Sequence, residues 1–181
     1  MRKSIVPIAL LVTGLAILSG CATAPSSTEG KATLSRDVNT ALAKAKVQDP
    51  SLQAFLDKAY GYAILPTVGK GAVGVGGAYG KGEVFEQGRK IGYCDLTQAT
   101  IGVALGGQTF TEIIAFENKA ALDNFKGGNM KFAAQATAVA LKAGAGANAK
   151  FSEGVSVLTA SEEGLMVEAS IGGQTFSFQP L

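Results

Sequence analysis

The chain has 181 residues, with two cysteines, Cys21 and Cys94, and no histidine. Without histidine, a Ser-His-Asp triad, a Cys-His pair and a histidine-ligated metal site are all impossible. Cys94 lies in the apolar stretch Ile91-Gly92-Tyr93-Cys94, where a thiol ordinarily behaves as a small core residue. The acidic residues are scattered singly, apart from Glu162-Glu163. We therefore predict no enzymatic activity, no metal site and no cofactor.

The residues before Cys21 are typical of a secretory signal peptide. Arg2 and Lys3 form a short positive region, and residues 5–18 are almost entirely apolar. These fourteen residues would rise about 21 Å as a helix, at roughly 1.5 Å each. A bilayer core is about 30 Å thick, so the segment is too short to span it.

The four residues Leu18-Ser19-Gly20-Cys21 resemble the lipobox of bacterial lipoproteins. That resemblance implies that the Cys21 sulfur takes a diacylglyceryl group, that residues 1–20 are removed and that the new amine is acylated. Two or more acyl chains anchor a protein durably. Ala22 follows, rather than the Asp that often marks inner-membrane retention in this family. The resemblance thus implies an outer-membrane anchor, with the protein facing the periplasm.

The charged residues are balanced in number but unevenly placed. Without Arg2 and Lys3, 14 basic residues face 14 acidic ones, which disfavours nucleic acid as a partner. Residues 58–82 and 124–152 contain lysines and no acid. This distribution fits either ordinary solvated surface charge or a basic rim suited to anionic lipid head groups.

The glycine-rich segments supply the candidate binding residues. Residues 68–71 and 80–82 are predicted to be flexible loops that expose backbone N–H groups, and such loops can accept a phosphate. The candidate head-group ligands are Lys58, Lys70, Gly71, Lys81, Arg89 and Lys90. The run Gly69-Lys70-Gly71-Ala72-Val73-Gly74 matches G-x-G-x-x-G, but a Pro and a helix precede it and a strand pattern follows. A dinucleotide site needs the reverse order.

The periodicity of the apolar residues predicts helices first and strands afterwards. Residues 22–32 read as a flexible tether, residues 34–45 as one helix, and Asp49-Pro50 as the N-cap and first position of a second. Alternating strand patterns follow from Val73 onward. Predicted interruptions are a hairpin turn at residues 87–90, a short helix at 118–126 and a second hairpin turn at 161–164. Residues 132–141 fit a strand by alternation and a helix by composition, and we interpret them as a strand.

A short repeat predicts how the sheet is shaped. Gly106-Gly107-Gln108-Thr109-Phe110 recurs as Gly172-Gly173-Gln174-Thr175-Phe176, each time after an alternating run. Glycine pairs within strands commonly mark bends or bulges. The predicted fold class is α+β, with a curled antiparallel β-sheet or a β-barrel as its core and about three helices packed on the surface.

Several segments together resemble the SYLF domain family. They are Ala63-Ile64-Leu65-Pro66, Lys70-Gly71, Val75-Gly76-Gly77-Ala78-Tyr79-Gly80-Lys81-Gly82, residues 102–108, Ile113-Ile114-Ala115-Phe116, the helix near Ala120 and Glu163-Gly164-Leu165-Met166-Val167-Glu168. The resemblance covers nearly all of residues 34–178. Leu65 stands where the family commonly has Phe, Ala72 where it has Gly, and Met166-Val167-Glu168 departs from the usual x-Ala-Gly.

Membership of this family would imply a non-enzymatic module that binds membrane lipids, with phosphoinositides as ligands in its eukaryotic members. The sequence then divides into a signal peptide (1–20), a lipidated tether (21–32) and a SYLF-like lipid-binding domain (33–181). We expect weak binding to anionic phospholipid or phosphoinositide head groups. The alternative is a periplasmic structural protein that uses the same fold as a scaffold for an unknown protein partner.

Overall fold

The computed structural model describes residues 23–132 and 138–181, of which residues 74, 101–104, 131–132, 138–139 and 161–172 are described by their backbone alone. Four helices lie in these ranges: α1 (Thr28–Gln48), α2 (Leu52–Lys58), α3 (Lys119–Lys126) and α4 (Ala145–Asn148). None of them combines the length and the apolar composition needed to cross a bilayer. The same ranges contain a β-sheet, and this combination of helices and a sheet confirms the predicted α+β class.

The sheet consists of three long strands and two short ones. They are β1 (Gly61–Glu86), β2 (Arg89–Phe116), β3 (Lys131–Phe132), β4 (Ala138–Ala140) and β5 (Val155–Pro180). The order is β1-β2-β5-β3, all antiparallel, and β4 pairs with β5 in parallel. Within the described residues β1 pairs only with β2, so the sheet is open. Of the two predicted cores, the closed barrel is therefore wrong and the curled open sheet remains.

The long strands fold back on themselves. Gly82 lies directly against the backbone of Ile64, although both belong to β1, and a Cβ on Gly61 would stand 2.6 Å from the carbonyl oxygen of Phe85. The N–H of Gln87 donates to the carbonyl oxygen of Tyr60 at 3.0 Å. Because β2 pairs with β1 along its whole length, β2 must bend with it. The predicted curl of the sheet is therefore confirmed.

The folded sheet has an apolar layer on each side. Leu65, Val84, Leu96 and Ile114 pack between the two halves of the sheet, where α3 closes the space. A second cluster covers the outer face, where Val38, Leu52, Leu56 and their neighbours pack on Ile64, Ile113 and Leu158. Each fully buried Leu or Ile of this kind stabilises the fold by about 2 kcal/mol relative to leaving it exposed.

The N-terminal region differs from the predicted tether. Helix α1 begins at Thr28, because the Ser27 hydroxyl accepts a hydrogen bond from the N–H of Gly30 and so caps the helix. Ala24 is buried against the outer cluster. Residues 28–32 are thus helical rather than part of a flexible tether. The N-cap of α2 is Ser51 rather than Asp49.

Several predicted turns and loops lie inside strands. Residues 161–164 do not form a hairpin turn, because Ser161, Glu163 and Gly164 pair with β2 in the ladder, which has a register shift of one residue at Glu162. Residues 68–71 and 80–82 are likewise part of β1, paired with β2, rather than loops. The hairpin turn at Gln87-Gly88 and the helix α3 are confirmed. Of residues 132–141, Phe132 and 138–140 are in strands, and 133–137 lie outside the described residues.

Candidate functional site

The end of the sheet where β1 turns into β2 is called the hairpin end. Its turn residues Gln87 and Gly88 have φ values of 49° and 77°, which glycine adopts readily at the second position. The start of β1 also lies here, because the N–H of Gln87 donates to the carbonyl oxygen of Tyr60 and Gly61 lies against Phe85. The last turn of α2 leads into Tyr60, and the end of β5 is close by because Gly92 pairs with Pro180.

A cavity of about 450 Å³ opens at the hairpin end, between α1, α2 and the turn. Its lining is largely polar and includes Lys46, Gln53, Asp57, Tyr60, Tyr62 and Gln87. The Gln53 Nε2 donates to Asp57 Oδ1 at 2.6 Å, which holds two of these side chains in place. Such a cavity can bind a small polar group by hydrogen bonds and charge, but it presents no paired nucleophile and base.

Both tyrosines of the cavity have raised pKa values. The Tyr60 hydroxyl donates to Glu86 Oε1 at 2.7 Å, and this bond to a carboxylate raises the pKa of the phenol. Burial raises the pKa of Tyr62, with a smaller effect from the charge of Asp57. The Tyr62 ring stacks on Phe85 with 5.0 Å between centroids. Both phenols are therefore neutral at physiological pH and act as hydrogen-bonding groups.

The N-terminal segment joins the fold close to this end. The main-chain N–H of Ala24 donates to Gln179 Oε1 at 3.1 Å. Gln179 pairs with Tyr93 in the sheet, four residues from Arg89 at the start of β2. Cys21 lies outside the described residues and only three residues before Ala24. Three extended residues span about 10 Å, so the Cys21 main chain lies within that distance of Ala24.

Three of the six predicted head-group ligands lie at the hairpin end. Lys58 is exposed at the C-terminal turn of α2, and Arg89 is exposed directly after the turn. Lys90 is half-buried; its ammonium forms an ion pair with Glu83 and lies 4.4 Å from the centroid of the Tyr93 ring. Burial lowers the pKa of Lys90, but the Glu83 carboxylate more than offsets this and the net shift is upward. Lys90 is thus a charged structural group.

The other three predicted ligands lie elsewhere. Lys70 is only 7% exposed, because its side chain points between the two halves of the sheet, and Gly71 follows it towards the bend. Lys70 is nine residues from Gly61, roughly 30 Å along the strand. Lys81 is half-buried opposite Asp95. The six residues therefore do not form one site.

Two features were missed by the sequence prediction. Lys46 lines the cavity, so one more cation belongs to the hairpin end. Lys31 lies 5.4 Å from the centroid of the Tyr93 ring, about 22 Å along α1 from Lys46. At the bend, four large side chains are exposed and form what we call the bend surface: Val73 (81%), Val75 (69%), Leu105 (65%) and Tyr79 (43%). The alternation of large and small residues predicted a strand in this part of β1. It did not indicate which face of the strand other parts of the protein would cover.

The described residues contain no group of three or more acidic or sulfur side chains that could hold a metal ion. Fold and site together define an α+β protein with a folded sheet and a polar cavity at its hairpin end.

No protein-family model matches the chain. It is similar to a protein of Aeromonas veronii called beta cell expansion factor A, with 28% identity over 151 residues. The aligned region covers 82% of this chain and 57% of that protein, so the chain spans little more than half of the relative's length.

Proposed function

We propose that the protein is a lipid-anchored protein of the bacterial envelope whose hairpin end faces the membrane and binds anionic head groups weakly. The observation that carries the proposal is the position of Ala24. It is buried and bonded to Gln179, whose partner Tyr93 lies four residues from Arg89, and it follows the lipobox cysteine by three residues. An acylated Cys21 would therefore bring the membrane surface to within about 10 Å of the Ala24 main chain.

The exposed cations at this end support the proposal. Neither Lys58 nor Arg89 forms an ion pair with an acid of the described residues. Lys46 adds a cation in the cavity, where Asp57 partly compensates it. Each cation near an anionic membrane surface contributes about 1 kcal/mol, and salt screens this within about 10 Å. Two exposed cations thus favour weak, salt-sensitive binding, which the lipid anchor would reinforce by raising the local concentration.

The proposed contact surface differs from the predicted set of head-group ligands. Lys70 and Lys81 are buried or half-buried inside β1, so they are less available to a head group than Lys58 and Arg89. The proposed contact surface consists of Lys58, Arg89, Lys46 and the rim of the cavity. An outer-membrane location facing the periplasm remains part of the proposal. It rests on the resemblance of Leu18-Ser19-Gly20-Cys21 to a lipobox and on Ala22, which stands where Asp often marks inner-membrane retention.

The test is liposome co-sedimentation of the chain from Ala22 onward, which lacks the acyl group. We expect binding to phosphatidylglycerol vesicles at low salt. Lys58→Ser/Arg89→Ser should lose up to about thirtyfold in affinity, because about 1 kcal/mol per cation before screening gives about 2 kcal/mol for the pair. The matched control is Lys142→Ser/Lys150→Ser, which removes the same charge from exposed positions near α4. Equal losses in both double variants would show a net-charge effect and would contradict a site at the hairpin end.

A second candidate function rests on the bend surface. Val73 and Leu105 are cross-strand partners, and both are largely exposed. Exposed apolar clusters on soluble domains often mark interaction sites. This surface supports the alternative of a periplasmic interaction protein that docks a protein partner at the bend. Such binding would persist at high salt, and Val73→Ser/Leu105→Ser would abolish it. If that variant instead weakened liposome binding, the bend would be the membrane contact.

A further inference from the structure

Four polar side chains are buried between the two halves of the folded sheet. Gln98, Thr100, Glu112 and Gln174 are each at most 4% exposed. Gln98 and Gln174 are opposite each other on β2 and β5. Glu112 comes from the other half, where it pairs with Leu65 and Thr159. Its Oε2 accepts a hydrogen bond from Gln174 Nε2 at 2.9 Å, and this bond joins the two halves through the interior.

The other side-chain oxygens of this pair have no hydrogen-bond partner among the described residues. Glu112 Oε1 and Gln174 Oε1 are buried, and neither makes a hydrogen bond within the described part of the protein. Both are acceptors while Glu112 is ionised, so neither can satisfy the other. Leaving buried acceptors unsatisfied is costly. A proton on Glu112 Oε1 removes the conflict, since a carboxylic acid and an amide each present one donor and one acceptor and can form two hydrogen bonds.

We propose that the folded protein keeps Glu112 protonated in mildly acidic solution and that the Glu112–Gln174 pair is a proton-dependent latch between the two halves of the sheet. The protonated pair closes the latch with two hydrogen bonds across the interior. Loss of the proton leaves one bond and a buried negative charge. The bend, with its exposed apolar side chains, then loosens as the pH rises.

The groups around Glu112 shift its pKa in opposite directions. Burial raises the pKa of Glu112 to about 7, although the Gln174 hydrogen bond and the charge of Lys70 both lower it. The Cys94 thiol on β2 is also close enough to interact, and burial, with Asp95, Glu112 and Glu83, raises its pKa far above neutrality. Gln98 Nε2 is a further donor that could favour the carboxylate, but it makes no bond within the described residues. From α3, Phe125 contributes an apolar ring, 5.2 Å from Phe176.

The direction of the pH effect follows from proton linkage. An exposed Glu in the unfolded chain titrates near 4.5, and the folded value is higher. Between these values the unfolded state loses its proton first. The contribution of Glu112 to stability therefore decreases from about pH 4.5 to about pH 7 and is constant above. Opening of the latch in the native state takes place around pH 7.

The first test is NMR titration of the glutamate side-chain carboxyl carbons in the folded protein from Ala22 onward. We expect the resonance assigned to Glu112 to titrate with a midpoint near pH 7, and a midpoint below about 5.5 would overturn the proposal. Glu112→Gln must remove that resonance, whereas the control Glu86→Gln must leave it. Because the wild-type titration needs no variant, it decides the question even if Glu112→Gln does not fold.

The second test is hydrogen exchange of the backbone amides of residues 69–79 at pH 5.5 and 8.5, corrected for the intrinsic rates. We expect protection in the wild type to decrease at least severalfold at the higher pH. Glu112→Gln retains an uncharged partner for Gln174, so its protection should not depend on pH. A pH dependence equal to that of the wild type would show that another group is responsible and would overturn the latch.

Discussion

Ala24 and Gln179 are joined by a hydrogen bond of 3.1 Å although 155 residues separate them in the chain. The bond connects the first described residues to the end of β5, so Ala24 is held at a defined place on the fold. Because Cys21 lies just upstream, this contact determines which end of the protein an anchor would hold against a membrane. The lipobox is therefore the first feature to test.

Cys21→Ser is expected to abolish membrane fractionation and to leave the unprocessed precursor, because only the thiol can carry the diacylglyceryl group. The measurement is the distribution of the protein between membrane and soluble fractions, together with its intact mass. Cys94→Ser is the matched control and should fractionate as the wild type does. Recovery of Cys21→Ser in the outer-membrane fraction at the wild-type mass would contradict the prediction.

Cys94 is expected to react slowly with a thiol reagent in the folded protein and rapidly after denaturation. The side chain is fully buried, and burial raises the pKa of the thiol, so very little reactive thiolate forms at neutral pH. The measurement is the labelling rate with and without urea. Fast labelling under native conditions would mean that the core between the two halves of the sheet is open.

Asp49→Ala is expected to lower the free energy of unfolding at pH 7 by about 3 kcal/mol, because hydrogen bonds to a charged group are strong. The Asp49 carboxylate is fully buried and accepts hydrogen bonds from Ser51 and from the N–H groups of Gly144 and Gly146, so it connects α2 to α4. Urea denaturation measures the difference. Asp37→Ala, at an exposed position of α1, should change stability by less than about 0.5 kcal/mol.

The same variant should show a specific pH dependence. Burial by itself raises the pKa of Asp49, but the hydrogen bonds from Ser51, Gly146 and Gly144 outweigh it and the pKa lies below 3.8. The stability that ionised Asp49 contributes is present above pH 3.8 and is lost as the pH falls through the lower folded value. The difference between wild type and Asp49→Ala should therefore narrow below pH 3.8. A difference that is constant from pH 7 to pH 2 would contradict this assignment.

Gly82→Ala is expected to destabilise the protein by about 2–3 kcal/mol, because the new methyl group would overlap the backbone of Ile64. The overlap is with main chain and cannot be relieved by a change of rotamer. The matched control is Gly69→Ala in the same strand, where a Cβ meets no atom within 4 Å. Equal stability of the two variants in urea denaturation would show that the halves of β1 do not touch.

Much of the secondary structure could be predicted because it depends on short-range patterns. The apolar spacing from Leu34 to Ala45 lies within one short segment, and so does the Asn118 cap of α3. Both predicted helices are present. The Gln87-Gly88 turn is equally local. The turn predicted at residues 161–164 failed because the β-ladder to residues 108–110 outweighs the local preference of a polar, glycine-containing segment.

The site was harder to predict because exposure depends on distant parts of the chain. Arg89 was correctly expected at a turn, whereas Lys70 was expected in an open loop and is buried. Nothing near Lys70 in the sequence shows that β1 bends and covers it. The same reason explains why Lys46 was missed, since it belongs to the cavity only through the packing of α1 beside Tyr60 and Gln87.

The sequence by itself determined the lipobox resemblance at Cys21, the absence of histidine chemistry and the succession of helices and strands, because each depends on residue types and spacings within short segments. Only the tertiary structure decided that β1 folds onto itself at Gly82, that Ala24 is held beside Gln179 and that Glu112 faces Gln174 across the interior. These contacts join residues 18 to 155 positions apart. They arise from burying apolar surface and from backbone pairing across the whole sheet, which no local pattern encodes.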